Sequence, residues 1–79
     1  MNVDDIITFK DNNKYLITDS ITYNDKDYYL LLGVDSKETK INEENMLFAT
    51  IELEDDKVFF REVTDLSILR KIGKIFLEE

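Results

Sequence analysis

The chain has 79 residues, a formal net charge of −8, and no cysteine, histidine, tryptophan or proline. The lack of cysteine and histidine excludes disulfides, thiolate or imidazole metal sites, and catalytic triads that depend on imidazole. A negative charge of this size repels phosphate backbones, so we expect no nucleic-acid binding. The length is that of one domain, and the 43% hydrophobic content is too high for a disordered acidic tail. We therefore predict a single folded domain over residues 1–79.

The composition and the N-terminal sequence also indicate where in the cell the protein is located. The N-terminal sequence Met-Asn-Val-Asp-Asp has neither the basic nor the apolar segment of a secretory signal. The longest apolar run, residues 28–34, is about a third as long as a membrane-spanning helix. Small extracellular domains usually contain disulfides, which this chain cannot form. We expect a cytoplasmic protein without a membrane contact.

The first part of the chain has the pattern of β-strands, since polar and apolar residues alternate and Ile, Thr, Tyr, Phe and Val are frequent. We predict five strands, at residues 5–10, 14–23, 26–34, 46–54 and 57–63. Polar turns at residues 11–13, 24–25 and 55–56 predict antiparallel hairpins, with Asn13 in the left-handed conformation. These turns place apolar residues opposite one another: Phe9 and Tyr15, Ile7 and Ile17, Ile21 and Tyr28, Ile17 and Leu32, Leu53 and Val58, Ile51 and Phe60.

Two acidic residues interrupt this pairing, Asp19 opposite Leu30 and Glu62 opposite Ala49. We expect each acid to mark a bulge, a bend or a strand end. They are also the only acids that the alternation turns inward, and therefore the only candidates for carboxylate-based catalysis. A domain of this size with one helix has little room for an active-site cleft. We predict no enzymatic activity and no catalytic residues.

Residues 35–45 are polar apart from Ile41 and are long for a hairpin connection, so we predict a mobile loop there. After Val63 the apolar spacing becomes helical. We predict an amphipathic helix over residues 64–79, with Thr64 or Asp65 as its N-cap. Its apolar stripe consists of Ile68, Leu69, Ile72, Ile75 and Phe76.

Gly73 lies on this stripe, one turn after Leu69. A glycine in a helix interior is unfavourable by about 1 kcal/mol relative to alanine, but it lets another backbone approach closely. Gly73 is therefore either a close-packing position or a residue tolerated near a fraying helix end.

The predicted fold is α+β. It is a five-stranded antiparallel meander sheet, strongly twisted or coiled into a half-barrel, with one C-terminal amphipathic helix packed on one face. The alternation predicts that the helix covers the face bearing Ile7, Phe9, Ile17, Leu32, Ile51, Leu53, Val58 and Phe60. The second face carries a further apolar set, Ile6, Leu16, Tyr29, Leu31, Met46, Phe48, Phe59 and Val63.

No second predicted helix is available to cover this second face. Two outcomes remain open: the sheet coils and buries both sets, or the second face is an interface. In the second case we predict a contact with a protein partner or with a second copy of the chain. The candidate interface residues are Leu16, Tyr29, Leu31, Phe48, Phe59 and Arg61.

Several segments together resemble one family. They are Asp-Ile-Ile-Thr-Phe at residues 5–9, Asn-Asp-Lys-Asp-Tyr-Tyr-Leu-Leu at 24–31, Glu-Asp-Asp-Lys at 54–57, and Leu-Arg-Lys-Ile at 69–72 followed by Ile75-Phe76. In these segments the chain resembles the YrzB-like family of short acidic bacterial proteins, a domain of unknown function. The resemblance implies a cytosolic bacterial protein and supplies no catalytic or binding residues.

The densest carboxylate cluster, Glu52 with Glu54, Asp55 and Asp56, lacks the alternating ligands and glycine of an EF-hand loop. We therefore predict no metal site and no cofactor. The sequence favours a non-enzymatic protein-interaction or regulatory module that uses the uncovered sheet face. Two alternatives remain open: an acidic mimic of nucleic acid that binds a basic protein, and a carboxylate-based enzyme.

Overall fold

The computed structural model describes residues 2–78. The strands form one antiparallel sheet in the order β1-β2-β3-β4-β5, so each strand pairs with its neighbours in sequence. The sheet coils into a half-barrel and is followed by one helix, which confirms the predicted α+β meander. The elements are β1 (Ile6–Thr8), β2 (Lys14–Tyr23), β3 (Lys26–Val34), β4 (Ile41–Glu54), β5 (Lys57–Glu62) and α1 (Leu66–Glu78).

β2 and β3 have the predicted bounds, whereas the other elements differ at their ends. The largest difference is in β4, which begins at Ile41, so the loop predicted over residues 35–45 is limited to residues 35–40. β1 covers only part of the predicted 5–10. β5 ends one residue early, and α1 begins two residues late. Glu79, the last residue of the predicted helix, and Met1, the first of the predicted domain, lie outside the described residues.

Two hairpin turns consist of residue pairs with positive φ. The φ angles are 51° and 63° for Asn24 and Asp25, and the same two values recur for Asp55 and Asp56. Positive φ at both central residues is the type I′ pattern, which matches the twist of a hairpin and which Asn and Asp tolerate. Both turns give the predicted pairs directly beyond them: Ile21 with Tyr28, Leu53 with Val58, and Ile51 with Phe60.

The first hairpin differs from its prediction. Ile7 lies opposite Tyr15, and the predicted pairs of Phe9 with Tyr15 and Ile7 with Ile17 are wrong. The turn is longer than expected, because the Phe9 backbone N donates to the Asn13 carbonyl at 2.9 Å and residues 9–13 are all outside the strands. The residue with positive φ is Asn12, at 70°, and not Asn13.

A bulge in β2 decides which side chains share a face. Ile17 pairs with Leu31 and Asp19 with Leu30, which leaves Thr18 as the extra residue. The irregularity predicted at Asp19 is therefore confirmed, and Glu62, at the end of β5, also lies where expected. The consequence for the register was not predicted. Ile17 lies opposite Leu31 instead of Leu32, and a shift of one residue moves a side chain to the other face.

The apolar residues form two clusters, one inside the half-barrel and one between the sheet and α1. The inner cluster consists of Tyr15, Ile17, Tyr29, Leu31 and Ala49, packed against Ile7, Phe9, Leu47, Ile51 and Phe60. The outer cluster consists of Ile21, Tyr28, Val63 and Ile72, packed against Tyr23, Phe48, Ile68, Leu69, Ile75 and Phe76. The sheet therefore uses both of its faces.

The prediction of which face α1 covers is wrong. Ile7, Phe9, Ile17, Ile51 and Phe60, which were assigned to the helix, lie inside the half-barrel, where coiling of the sheet covers them. Of the others in that set, Leu32 lies on the outer face, and Leu53 and Val58 are exposed at the end of the β4–β5 hairpin.

α1 begins with a capping interaction. The Asp65 carboxylate accepts hydrogen bonds from the backbone N of Ser67 at 2.8 Å and of Ile68 at 3.2 Å. These donors have no partner within the helix, so Asp65 is the N-cap. Of the two predicted candidates, Thr64 and Asp65, the structure selects the second.

The two glycines have opposite surroundings. A Cβ atom at Gly33 would lie 2.5 Å from Nδ2 of Asn45 and 3.0 Å from its Cβ and Cγ. The register between β3 and β4 shifts here, since Leu32 pairs with Met46 and Gly33 with Asn42. A Cβ atom at Gly73 would meet nothing within 4 Å. Two alternatives were predicted for Gly73, a close-packing position and a tolerated glycine near the helix end. The open space around it supports the second.

We expect Gly73→Ala to raise the free energy of unfolding by about 0.5–1 kcal/mol, since alanine loses less backbone entropy in a helix. Gly33→Ala should lower it by about 1–3 kcal/mol, because the new methyl group overlaps the Asn45 side chain, which has to be displaced. Urea denaturation of both variants measures the two effects. A Gly33→Ala variant as stable as the wild type would contradict the close packing of Asn45.

Candidate functional site

The six residues predicted to form an interface do not lie on one surface. Tyr29 and Leu31 belong to the inner cluster, with 6% and 0% of their surface exposed. Phe48 lies on the outer face, but its ring stacks on that of Phe76 in α1, with 5.2 Å between the centroids. The prediction is therefore wrong for Tyr29 and Leu31, which are buried inside the half-barrel, whereas Phe48 is half-buried against α1.

The other three residues lie on the outer face, and two of them have partners there. Lys10 Nζ lies 4.2 Å from the centroid of the half-buried Phe59 ring. Arg61 donates a hydrogen bond to the Glu52 carboxylate at 2.6 Å, and both side chains are largely exposed. Leu16 is the member of the predicted set that belongs to a larger uncovered surface.

Leu16 is part of a line of apolar residues that crosses four strands. Ile6 pairs with Leu16, Leu16 with Leu32, and Leu32 with Met46. Residues directly opposite each other share a face, so these four side chains lie side by side. We name Ile6, Leu16, Leu32 and Met46 the outer row. Ile6 is 39% and Met46 55% exposed, while Leu16 and Leu32 are half-buried.

The apolar surface continues beyond the outer row. Val34 pairs with Ile41 at the end of β3, and Ile41 is 53% exposed. α1 covers a different part of the same face, where Ile72 packs with Tyr28 and Val63. Among the described residues that form the cluster with α1, none belongs to the outer row. The helix therefore does not cover this line of side chains, in which Ile6 and Met46 are exposed and Leu16 and Leu32 are half-buried.

Carboxylates lie next to the outer row. Asp4 and Asp5 precede Ile6 at one end, and Glu43 and Glu44 precede Met46 at the other. Asp19 lies opposite Leu30, the next outward residue of β3 after Leu32. None of these five acids takes part in an ion pair within residues 2–78. The ion pairs there are Lys10–Glu54 at 3.4 Å, Lys14–Glu38 at 3.0 Å and Arg61–Glu52 at 2.6 Å.

Within residues 2–78, two titratable groups have shifted pKa values, those of Tyr29 and Asp35. Burial, with a smaller effect from the negative charge of Asp27, raises the pKa of the Tyr29 phenol. Hydrogen bonds from the Lys40 backbone N, the Thr39 hydroxyl and the Thr39 backbone N lower the pKa of the Asp35 carboxyl. Because folding lowers this pKa, the stabilisation that it brings is present at neutral pH and is lost as the pH falls through the lowered pKa. Asp35 thus closes the turn between β3 and β4.

The two acids predicted as the only carboxylates available for catalysis lie at structural irregularities. Asp19 is half-buried beside the bulge, and its carboxylate accepts a hydrogen bond from the Ser20 backbone N at 2.8 Å. Glu62 is exposed at the end of β5. Within residues 2–78 the buried side chains are apolar apart from the hydroxyl groups of three tyrosines, and no three acidic side chains converge as a metal site would require.

Sequence reasoning missed Leu32 as a surface residue and did not include Ile6 and Met46 among the interface residues. The signal for Leu32 was present. Asp19 opposite Leu30 already indicated a bulge, and moving the register by one residue there places Leu16 opposite Leu32. Ile6 and Met46 had been assigned to the second face correctly.

Among the described residues, no helix is both long enough and apolar enough to cross a membrane. Comparison of the chain with family models, with curated proteins and with solved structures finds no match. The resemblance to the YrzB-like family therefore stays a prediction.

Proposed function

We propose that this chain is a non-enzymatic, cytosolic interaction module that binds another protein through the outer row. The observation that carries the proposal is the line of four apolar side chains across β1 to β4 that α1 leaves open. Large contiguous apolar patches on the surface of monomeric proteins often mark binding sites. The absence of cysteine agrees with a cytosolic location.

The composition of this surface suits a contact that forms and dissociates. Two of its residues, Leu16 and Leu32, are half-buried and contribute to the fold, while Met46 is more than half exposed. Methionine is flexible and polarizable, so it adapts to partners of different shape. The surrounding carboxylates keep the free protein soluble.

Capture of proteins from a lysate of the source organism by the immobilised full chain tests the proposal. We compare the wild type with Met46→Ser, in the outer row, and with Leu53→Ser, on the same strand but outside it. Leu53 is 77% exposed, so both substitutions remove an exposed apolar side chain and neither should disturb the fold.

We expect at least one protein to be captured by the wild type and by Leu53→Ser but not by Met46→Ser. Light scattering of the purified chain up to millimolar concentration is the accompanying measurement. A monomer that captures nothing dependent on Met46 would refute the proposal. Concentration-dependent dimers that Met46→Ser abolishes would also refute it, since the partner would then be a second copy.

A further inference from the structure

We propose that the partner binds with a basic amphipathic helix, whose apolar side lies along the outer row and whose Lys or Arg residues meet the surrounding carboxylates. This inference rests on the proposed function, because it names the partner chemistry for the same surface. It follows from three features of the outer row: its backbone environment, its length and its charge.

The backbone environment favours a helical partner. β2, β3 and β4 each have a strand on both sides, so their main-chain groups are largely used within the sheet. A segment lying on this face has few backbone groups to pair with, and its own N–H and C=O groups have to be satisfied internally. A helix does this, whereas an extended peptide binds at a sheet edge.

The length of the outer row fits a short helix. Four side chains on four adjacent strands span three strand spacings of about 4.8 Å, or roughly 14 Å. A helix rises 1.5 Å per residue, so about ten residues, or three turns, cover this distance. Apolar residues at positions i, i+3, i+7 and i+10 of such a helix would meet Ile6, Leu16, Leu32 and Met46 in turn.

The charge selects a basic partner and disfavours a second copy. Asp4 and Asp5 lie at one end of the outer row, and Glu43 and Glu44 at the other, without an ion-pair partner within residues 2–78. Within residues 2–78, one lysine lies opposite a residue of this surface: Lys14 faces Val34 and is paired with Glu38 at 3.0 Å. Lys40 precedes Ile41 in the sequence, so in the described part of the chain four unpaired acids flank the outer row against one further lysine. Two copies would bring these carboxylates and their net charges of −8 together. Like charges across an interface are repulsive, and Lys or Arg would complement them.

The experiment uses a 14-residue peptide of leucine and lysine with leucine at helical spacing. The control is a peptide of the same composition in shuffled order, without an apolar side. Each is titrated into the full chain, with amide NMR shifts to locate the contact and fluorescence anisotropy to measure Kd. Titrations at low and at high salt measure the charge contribution, since salt screens exposed charges.

We expect the largest shifts at Ile6, Leu16, Leu32 and Met46, and a weaker affinity at high salt. Met46→Lys should raise Kd about tenfold or more, since it replaces an apolar contact with a charge that repels a basic peptide. Leu53→Lys makes the same change of charge on the same strand outside the outer row, and it should change Kd less than about threefold. Glu43→Gln combined with Glu44→Gln should raise Kd and reduce its salt dependence.

The inference is overturned if the shuffled peptide binds as tightly, if the shifts map to other residues, or if Leu53→Lys weakens binding as much as Met46→Lys. The exposed double Gln variant keeps the test informative should Met46→Lys not fold. A partner captured from lysate through Met46, combined with no binding of the Leu-Lys peptide, would overturn the basic helix and leave the proposed function intact.

Discussion

Leu31→Ala is expected to lower the free energy of unfolding by about 2–5 kcal/mol, the range typical of truncating a fully buried leucine. Leu31 is 0% exposed and lies at the centre of the inner cluster, between Ile17 on β2 and Leu47 on β4. The loss includes both the transfer of the side chain and the cavity left behind. Because domains have total stabilities as low as about 5 kcal/mol, a loss at the upper end of this range would leave much of the protein unfolded.

Leu32→Ala is the matched control, one residue later and on the opposite face. Leu32 is half-buried in the outer row, so its truncation should cost about 1 kcal/mol or less. Urea denaturation monitored by circular dichroism measures both variants. Equal losses, or a larger loss for Leu32→Ala, would contradict the observed register and restore the one predicted from the sequence.

Ile72→Ala should release α1 from the sheet and lower the free energy of unfolding by about 2–5 kcal/mol. Ile72 is the buried residue of α1, at 0% exposure, and packs with Ile21, Tyr28 and Val63. An isolated helix of 13 residues is marginal in water, so α1 depends on this packing. Far-ultraviolet circular dichroism follows the helix, and urea denaturation gives the stability.

Leu77→Ala is the control for Ile72→Ala. Leu77 lies on the same helix and is 87% exposed, so its truncation should change the stability by less than about 0.5 kcal/mol. If Ile72→Ala left both the helix signal and the urea midpoint at wild-type values, the packing of α1 on the sheet would contribute little to the fold.

The meander was predictable from sequence because its hairpins are local. The turns at residues 24–25 and 55–56 each fix the pairing of the strands on both sides, and Asn and Asp there tolerate the positive φ angles. The bounds of β2 and β3 follow from the same turns. The start of β4 was missed because Glu43, Glu44 and Asn45 lie where the β3–β4 register shifts and have no alternating pattern.

The assignment of faces could not be predicted as well, for two physical reasons. The first is the bulge at Thr18. It distorts the backbone only locally, but it gives every residue of β2 before it a different partner on β3. The second is that the amphipathic stripe of a helix predicts that it packs on the sheet, but not on which face of the sheet. Coiling of the sheet covers the inner residues, so α1 packs on the outer cluster, and Tyr29 and Leu31 are interior instead of surface residues.

The bulge also has a consequence for how this chain can change over evolutionary time. Thr18 divides β2 into two parts. Residues 19–23 have the register that the turn at residues 24–25 sets, whereas the inward and outward positions of residues 14–17 are exchanged relative to that register. Because Thr18 is the extra residue, deleting it would remove the bulge and leave Ile17 opposite Leu31 and Leu16 opposite Leu32. Deleting a residue of β2 before the bulge, such as Leu16, would instead exchange the inward and outward positions of all residues that precede it in the strand. A single-codon deletion should therefore be tolerated far better at Thr18 than at its neighbours in β2.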